Sequence, residues 1–221
     1  KSDSLGPDMY IYLNDPDFKD GQTVNETPYF YAQLKDVDGI NITGNGVGHN
    51  LELIIDGKEN TSYNLNTYYQ NDFGSYTSGT VAYQIPKLTD GEHHLLFRAW
   101  DVQNNSSSRS LKFVVKSGLK PQISSVALSH NPASTSTTFL ITYDRPAEET
   151  KFTINVYNAF GQKCWTHTET TTSNGYHTIN WDLESNSGVA LSSGLYLYEV
   201  AISCNGSAQT IKKQKMIIVR Q

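Results

Sequence analysis

Histidine and cysteine are the residues of this sequence that could carry nucleophilic chemistry. A cysteine nucleophile needs a histidine within hydrogen-bond reach to act as its base. The chain has 2 cysteines and 6 histidines, and the pairs to consider join Cys164 or Cys204 to His49, His93, His94 or His177. Cys164 stands beside an aromatic residue in a strand-like stretch, where an inert, half-buried thiol is the expected state. The sequence has no CxxC pair and no His/Cys cluster with zinc spacing.

Two acidic turns could supply oxygen ligands for calcium. DVDGIN contains Asp36 and Asp38, and WDVQNNS contains Asp101 and Asn104. Calcium prefers carboxylate and amide oxygens of this kind. The pattern lacks the third acidic position and the closing glutamate of an EF-hand loop, and Asp and Asn before Gly are also typical of turns. A calcium site formed by these four residues is therefore one hypothesis, and ordinary turn chemistry is the favoured one.

A tyrosine-rich stretch, TSYNLNTYYQNDFGSYTSG, occupies residues 61–79. Exposed aromatic rings give a large contact area at low entropic cost, so Tyr63, Tyr68, Tyr69 and Tyr76 could form a platform for sugars or peptides. The same rings could instead cover the edge of a β-sandwich as a long ordered loop, and this structural interpretation is favoured. Long loops without strands of their own are often functional, so the binding hypothesis is kept as the alternative.

The charge of the chain argues against a nucleic-acid partner. The formal net charge is -5, from 17 basic and 22 acidic residues, and no basic stripe is interleaved with aromatic residues. No run of 18 apolar residues is present, so the sequence predicts no transmembrane segment. There is no leader pattern at Lys1, and any export signal is expected upstream of it.

Short alternating apolar segments separated by Gly, Asn, Asp or Pro fill the chain and predict an all-β fold. No segment has a helical period of useful length. Turns at roughly ten-residue spacing are typical of a sandwich of antiparallel sheets. The predicted strands are Asp8–Leu13, Tyr29–Lys35, Asn50–Ile55, Gly79–Ile85, Gly91–Asp101, Ser110–Lys116, Ile123–Ser129, Thr137–Tyr143, Thr150–Asn158, Lys163–Glu169, Gly175–Asp182, Gly194–Cys204 and Thr210–Val219.

A Gly/Lys/Pro stretch at Lys116–Gln122 separates two series of strands. It predicts two tandem immunoglobulin-like β-sandwich domains, at 1–118 and 119–221. In the second, Asn131-Pro132 sets a turn before an alternating strand, because proline fixes φ and biases its predecessor away from helix. Cys164 and Cys204 both fall in predicted strands of this domain. A cross-strand disulfide and two free thiols remain open, with free thiols favoured.

The second domain carries an ordered set of motifs: SHNPAS, VYNAFGQKCW, GYHTINWDL, GVALSSGLYLYEV and KKQKMIIV. In this order they resemble the C-terminal sorting domains of the Bacteroidetes type IX secretion system and the related flagellar-hook-cap immunoglobulin-like modules. Each motif also has a folding role, since Gly161 suits a hairpin turn and Trp181 and Tyr196 are expected between the sheets. The last strand ends near the last residue, which predicts a C-terminus tied into a sheet.

The first domain contains a further ordered set of short motifs across about residues 1–116: GIN, GVGHN, IDG, LTDGEHHL and AWDVQNNS. They resemble the region between the peptidase and sorting domains of PorU-like proteins, the gingipain-like sortases of that secretion system. The resemblance implies a parent related to clan CD cysteine peptidases. No histidine or cysteine here stands in the His-Gly or Glu-Xaa-Cys setting of such enzymes, so catalysis is expected upstream of Lys1.

The resemblance implies a non-catalytic C-terminal module that serves export and outer-membrane surface location. Its partners would be the type IX secretion machinery and outer-membrane surface proteins. The recognition feature would be the exposed edge of the last strand with Lys212, Lys213 and Lys215, since a free edge can accept an added strand. Those lysines could equally protect the edge from aggregation. The rival functions are a carbohydrate-binding or adhesin module using residues 61–79, and a non-catalytic wall of a peptidase cleft. No cofactor is expected beyond the calcium hypothesis.

Overall fold

The computed structural model describes residues 4–44, 47–58 and 61–220. The chain divides into two compact units, Lys1–Ser117 and Gly118–Gln221. Apart from 3₁₀ turns at Thr61 and at Asn66–Tyr68, the regular structure of the described residues is β-strand. The predicted all-β class with immunoglobulin-like sandwiches is thus confirmed. Within these ranges, no helix has the length and apolarity needed to cross a bilayer.

The first unit is a sandwich of two sheets. Its strands are β1 (Asp8–Leu13), β2 (Thr23–Val24), β3 (Tyr29–Lys35), β4 (Glu52–Ile55), β5 (Ser62–Asn64), β6 (Tyr69–Asn71), β7 (Ser78–Gln84), β8 (Gly91–Trp100) and β9 (Ser106–Val115). One sheet has the order β1-β3-β7-β6 and the other the order β2-β9-β8-β4-β5. Inward side chains of both sheets form one core, in which Phe30 and Phe97 meet with ring centroids 5.1 Å apart.

The tyrosine-rich stretch contributes an edge strand to each sheet of this sandwich. Strand β5 pairs with β4, and β6 pairs with β7. Gly79 permits the second pairing, because a Cβ there would lie 2.4 Å from the Gln70 carbonyl oxygen and 2.5 Å from the Tyr69 ring. The stretch is therefore mainly a structural part of the fold, in line with the favoured interpretation of its sequence, and only its two short strands were not predicted.

The second unit is also a two-sheet sandwich. Its strands are β10 (Ile123–Leu128), β11 (Thr137–Tyr143), β12 (Glu149–Tyr157), β13 (Lys163–Thr172), β14 (Tyr176–Trp181), β15 (Gly194–Cys204) and β16 (Thr210–Ile218). The sheets have the orders β10-β11-β14 and β13-β12-β15-β16. The period-2 prediction for β11 is confirmed, since Phe139, Ile141 and Tyr143 are all buried. Trp181 and Tyr196 are buried between the sheets as expected.

The two cysteines are free thiols at opposite ends of one sheet. Cys204 pairs with Thr150 at the start of β12, whereas Cys164 precedes Trp165, the partner of Val156 near the other end. Six residues of extended strand separate these positions by about 20 Å, at roughly 3.3 Å per residue. A disulfide needs Cα atoms within about 7 Å, so this fold excludes the cross-strand disulfide.

Candidate functional site

The terminal strand β16 is an edge strand, bonded in the ladder to β15 alone. Its register with β15 runs without a shift from Thr210 to Ile218. The amide and carbonyl of Ile217 point away from β15, because both bond to the segment before β11. Backbone groups alternate along an antiparallel strand, so those of Ile211, Lys213 and Lys215 face the same outer edge. No backbone partner for these three residues is found among the described residues.

The C-terminal end of this edge is closed by the Asn-Pro stretch. The Ala133 amide donates to the Ile217 carbonyl at 2.9 Å, and the Val219 amide donates to the Ala133 carbonyl at 2.8 Å. The Ile217 amide donates to Asn131 Oδ1 at 3.0 Å. We call residues 131–133 the clip. The clip pairs with β16 in parallel and leaves 211–215 as the open part of the edge.

Arg220 anchors the C-terminal end of β16 through several hydrogen bonds. Its guanidinium donates to the carbonyl oxygens of Leu191 at 3.0 Å, Ser134 at 3.1 Å and Leu183 at 2.9 Å. Its amide donates to Ser193 Oγ at 2.8 Å. A planar guanidinium offers five donors in a fixed geometry, which suits several carbonyls converging on one point. The end of the last strand is thus tied to loops distant in the sequence.

The three predicted lysines do not lie on one face. Lys213 and Lys215 are on the solvent face of β16, between the exposed side chains of Ile211 and Ile217. Lys213 Nζ lies 3.4 Å from Glu199 Oε2 on β15. Lys212 points to the other side, with Nζ 3.4 Å from the Ser124 carbonyl oxygen. The open edge therefore presents two lysines framed by two apolar side chains.

The four predicted tyrosines occupy different environments. Tyr69 is buried in the core. Tyr63 and Tyr68 both contact the Tyr83 ring, at centroid distances of 5.4 and 4.8 Å and interplanar angles of 44° and 66°. Tyr76 is exposed. Within the described residues no two of the four rings stack on each other, so they form no shared flat platform.

The predicted calcium residues lie in two neighbouring turns. The Val102 amide donates to the Gly39 carbonyl at 3.1 Å, which joins the turns. Asp101 is fully buried, and its carboxylate accepts bonds from the Gln103 amide and from the amide and side chain of Asn105. Asp36 and Asp38 accept bonds from the Asp38 amide and the Gln103 side chain respectively, and Asn104 Oδ1 lies 3.0 Å from His49 Nδ1. The carboxylates thus act as turn acceptors. In the ranges described, no group of three or more His, Cys, Asp or Glu side chains is placed to hold a metal.

The histidine and cysteine candidates have separate partners. His93 lies between Asp56 Oδ2 and the Thr89 carbonyl oxygen, each 2.7 Å from a ring nitrogen, and His94 Nδ1 is 3.6 Å from Asp56 Oδ1. His49 stacks on Trp100 at 4.0 Å. The Cys204 thiol contacts Thr150 Oγ1 at 3.1 Å, and burial raises its pKa. Cys164 Sγ lies 3.5 Å from the Gln162 carbonyl oxygen.

His177 belongs to a charged group that joins β13 and β14. Its Nε2 lies 2.7 Å from Glu169 Oε1, and His167 Nε2 lies 3.5 Å from Glu169 Oε2. Burial alone would raise the pKa of Glu169, but hydrogen bonds from His177 and His167 and their charges outweigh it and lower that pKa. Glu169 therefore favours the folded state when it is ionised.

We expect the stabilisation from Glu169 to disappear in acid. A carboxyl group with a lowered folded pKa stabilises fully above its ordinary pKa of 4.5 and loses this contribution as the pH falls through the folded value. Glu169→Gln should lower the urea midpoint at pH 5.5 and lower it less at pH 3. Glu149→Gln, at an exposed position on β12, is the control. A midpoint difference that is the same at both pH values would contradict the ion-pair role.

Sequence reasoning missed two sets of residues. Arg220 was overlooked because its carbonyl partners are remote in sequence. Tyr10 and Tyr12 on β1, with Tyr29 and Tyr31 on β3, form a continuous ladder of rings on the solvent side of the first sheet. Here a signal was present, since tyrosines two residues apart in a strand point to the same face. Burial and the neighbouring tyrosines raise the pKa of Tyr31 well above its ordinary value.

Comparison with known proteins supports part of the sequence interpretation. Residues 125–206 match the FlgD Ig-like domain family. The crystal structure of dimeric latent PorU from Porphyromonas gingivalis is similar to the chain at 36% identity and a TM-score of 0.56. The match covers 99% of this chain and 21% of that one, so the chain spans about a fifth of PorU. The FlgD match supports an immunoglobulin-like domain in the second unit, and the PorU match supports an immunoglobulin-like part of a PorU-like protein.

Other solved structures are more distant. An endo-β-1,4-mannanase from Thermotoga petrophila matches 50% of this chain and 20% of its own at 16% identity and a TM-score of 0.33. The chicken interferon gamma receptor alpha chain matches 98% of this chain and 100% of its own at 8% identity and a TM-score of 0.33. No curated protein matches the sequence.

Proposed function

We propose that this chain is the non-catalytic C-terminal module of a PorU-like sortase, which serves type IX secretion and location at the outer-membrane surface. The observation that carries the proposal is the 36% identity to PorU over 99% of the chain. The FlgD Ig-like match over 125–206 supports a sorting-type second domain. On this proposal the module is exported, and its partners are the secretion machinery and surface proteins of the outer membrane.

The open edge of β16 is the part of the second unit best suited to be recognised. It offers outward amides and carbonyls at Ile211, Lys213 and Lys215, and a partner strand could extend the sheet there. The clip blocks the same kind of pairing further along the strand. Lysines on an edge discourage non-specific pairing, so the exposed Lys213 and Lys215 side chains would favour a partner strand with acidic groups.

A secretion assay tests the module as a whole. We expect an exported fluorescent protein fused ahead of residues 1–221 to reach the surface of a Bacteroidetes host with a working type IX system. In a host lacking that system, the fusion should stay in the periplasm. Equal surface fluorescence in both hosts would overturn the proposed function.

Proline at position 213 tests the role of the edge. The Lys213 amide points outward, so Lys213→Pro removes one donor from the edge and spares the ladder with β15. We expect surface delivery of the fusion to fall by about tenfold, because an added strand loses a main-chain bond and meets the proline ring. Lys215→Pro should act in the same way.

The matched control is Lys213→Ala, which removes the charge and keeps the amide donor. We expect its delivery to stay within about twofold of the parent if main-chain pairing dominates recognition. Thermal unfolding of each purified variant checks that the sandwich is intact. Full delivery of a folded Lys213→Pro fusion would contradict recognition through this edge. It would not contradict the proposed function of the module, which the comparison of the two hosts tests.

A further inference from the structure

A groove lies on the solvent face of the β1-β3-β7-β6 sheet in the first unit. Its volume is about 770 Å³, within the usual range for small-molecule sites. The floor of the groove consists of two rows of side chains, and each row crosses the paired strands β1, β3 and β7. One row is Asp8, Lys35 and Ser78, and the next is Tyr10, Gln33 and Thr80. Asp72 and Arg109 also line the groove, from the end of β6 and from β9.

The aromatic wall of the groove is held rigidly. Tyr10 is 49% exposed, and its hydroxyl donates to the Pro16 carbonyl oxygen. The Tyr10 and Tyr12 rings are 5.5 Å apart, and Tyr12 stacks on Tyr31 at 5.0 Å with an interplanar angle of 21°. Tyr29 extends the ladder behind Tyr31 at 5.1 Å. Tyr10 is thus a preorganised, half-exposed ring beside a polar floor, which lowers the entropic cost of binding.

The polar groups of the groove have unused hydrogen-bonding capacity. Asp8 and Lys35 are register partners, yet neither forms an ion pair within the described part of the chain. Arg109 donates to the Ser108 carbonyl oxygen at 3.1 Å, one of five donors on its guanidinium. The groove therefore offers carboxylate acceptors and cationic donors to a bound molecule.

This mixture selects for a neutral ligand rich in hydroxyl groups. A strongly anionic ligand would meet Asp8 and Asp72, and a strongly cationic one would meet Lys35 and Arg109. An apolar ligand would bury these charges without partners, which is costly. Hydroxyl groups can donate to the carboxylates and accept from the cations, while the C–H face of a sugar ring can pack on Tyr10. We infer that this groove binds a neutral oligosaccharide.

Calorimetric titration of the 221-residue chain tests the inference. The probes are maltohexaose, cellohexaose, mannohexaose and N-acetylchitohexaose, with one acidic and one basic hexapeptide for comparison. We expect at least one hexasaccharide to bind and neither peptide to do so. Lys35→Ala and Asp72→Ala should each raise the dissociation constant by about tenfold, because each removes a charge-assisted hydrogen bond. Tyr10→Ala should have a similar effect.

Tyr76→Ala is the matched control, because Tyr76 is an exposed tyrosine outside the groove. We expect it to bind like the parent chain. Lys35 and Asp72 are exposed, so their variants should keep the parent's thermal midpoint even if Tyr10→Ala does not fold. No hexasaccharide binding, peptide binding in its place, or loss of binding only in Tyr76→Ala would each overturn the inference. None of these results bears on the two-host secretion assay, which tests the module as a whole, or on the proline variants, which test the edge of β16.

Discussion

Replacing Arg145 by leucine should lower the free energy of unfolding of the second unit by about 3–5 kcal/mol, the usual cost of breaking a buried ion pair from one side. Arg145 is 2% exposed. Its NH1 lies 2.9 Å from Asp144 Oδ1, and its NH2 donates to the carbonyl oxygens of Leu119 at 2.8 Å and Lys120 at 3.2 Å. The Gln122 amide donates to the same Asp144 oxygen at 2.6 Å. Arg145 and Asp144 together hold residues 119–122 against this sandwich.

The cost should depend on pH. Burial raises the pKa of Asp144, and the attraction of Arg145 and the hydrogen bonds to the carboxylate offset this only in part. Without Arg145 the folded pKa rises further above its unfolded value. A carboxyl group with a raised folded pKa keeps its contribution to stability at low pH and loses it as the pH rises through the folded value. Arg145→Leu should therefore be less destabilising at pH 4 than at pH 7.5.

Hydrogen exchange of the β12 and β15 amides, measured at increasing urea concentration, gives the free energy of unfolding of the second unit directly. Exchange of residues 119–122 should also accelerate in Arg145→Leu. Arg145→Lys is the control for charge: it keeps the cation but lacks the planar fork that reaches two carbonyls and a carboxylate, so an intermediate loss is expected. Ordinary surface substitutions change the free energy of unfolding by less than about 0.5 kcal/mol. A loss that small for Arg145→Leu would contradict the role of Arg145 in holding residues 119–122 against the sandwich.

Replacing Arg220 by alanine should cost about 2–3 kcal/mol, since hydrogen bonds from charged groups contribute roughly 1.5–3 kcal/mol each and this group is only partly buried. The change removes the bonds to the Leu191, Ser134 and Leu183 carbonyl oxygens. The end of β16 should then fray, and the clip should separate from it. The Ala133 and Val219 amides, which bond across the clip, report this opening by faster exchange.

Lys213→Ala is the comparison for this experiment, because the Lys213 side chain on β16 is also a cation but is 70% exposed and makes one surface ion pair. Such pairs contribute about 0–1 kcal/mol. If Arg220→Ala and Lys213→Ala changed Ala133 exchange equally, the anchoring role of Arg220 would be wrong. Arg220→Lys should fall between them.

Much of the fold follows from local pattern. Strand β11 shows why: in an antiparallel sheet with one solvated face, apolar residues must alternate, and Phe139, Ile141 and Tyr143 do so. The short strands β5 and β6 were missed, since three residues carry too little periodicity to detect. The burial of Tyr69 was not predicted either. Its position is set by the pairing of β6 with β7, where Tyr69 lies opposite Val81, and not by its neighbours in sequence.

The sequence by itself determined the all-β class, the two series of strands and the alternation of β11, because these depend on local patterns along the chain. Tertiary structure decided which part of β16 stays open, which charges meet in the groove, and that Cys164 and Cys204 lie too far apart to bond. The bond from the Ile217 amide to Asn131 spans 86 residues. Contacts of that separation depend on sheet order and register, which no local spacing of residues encodes.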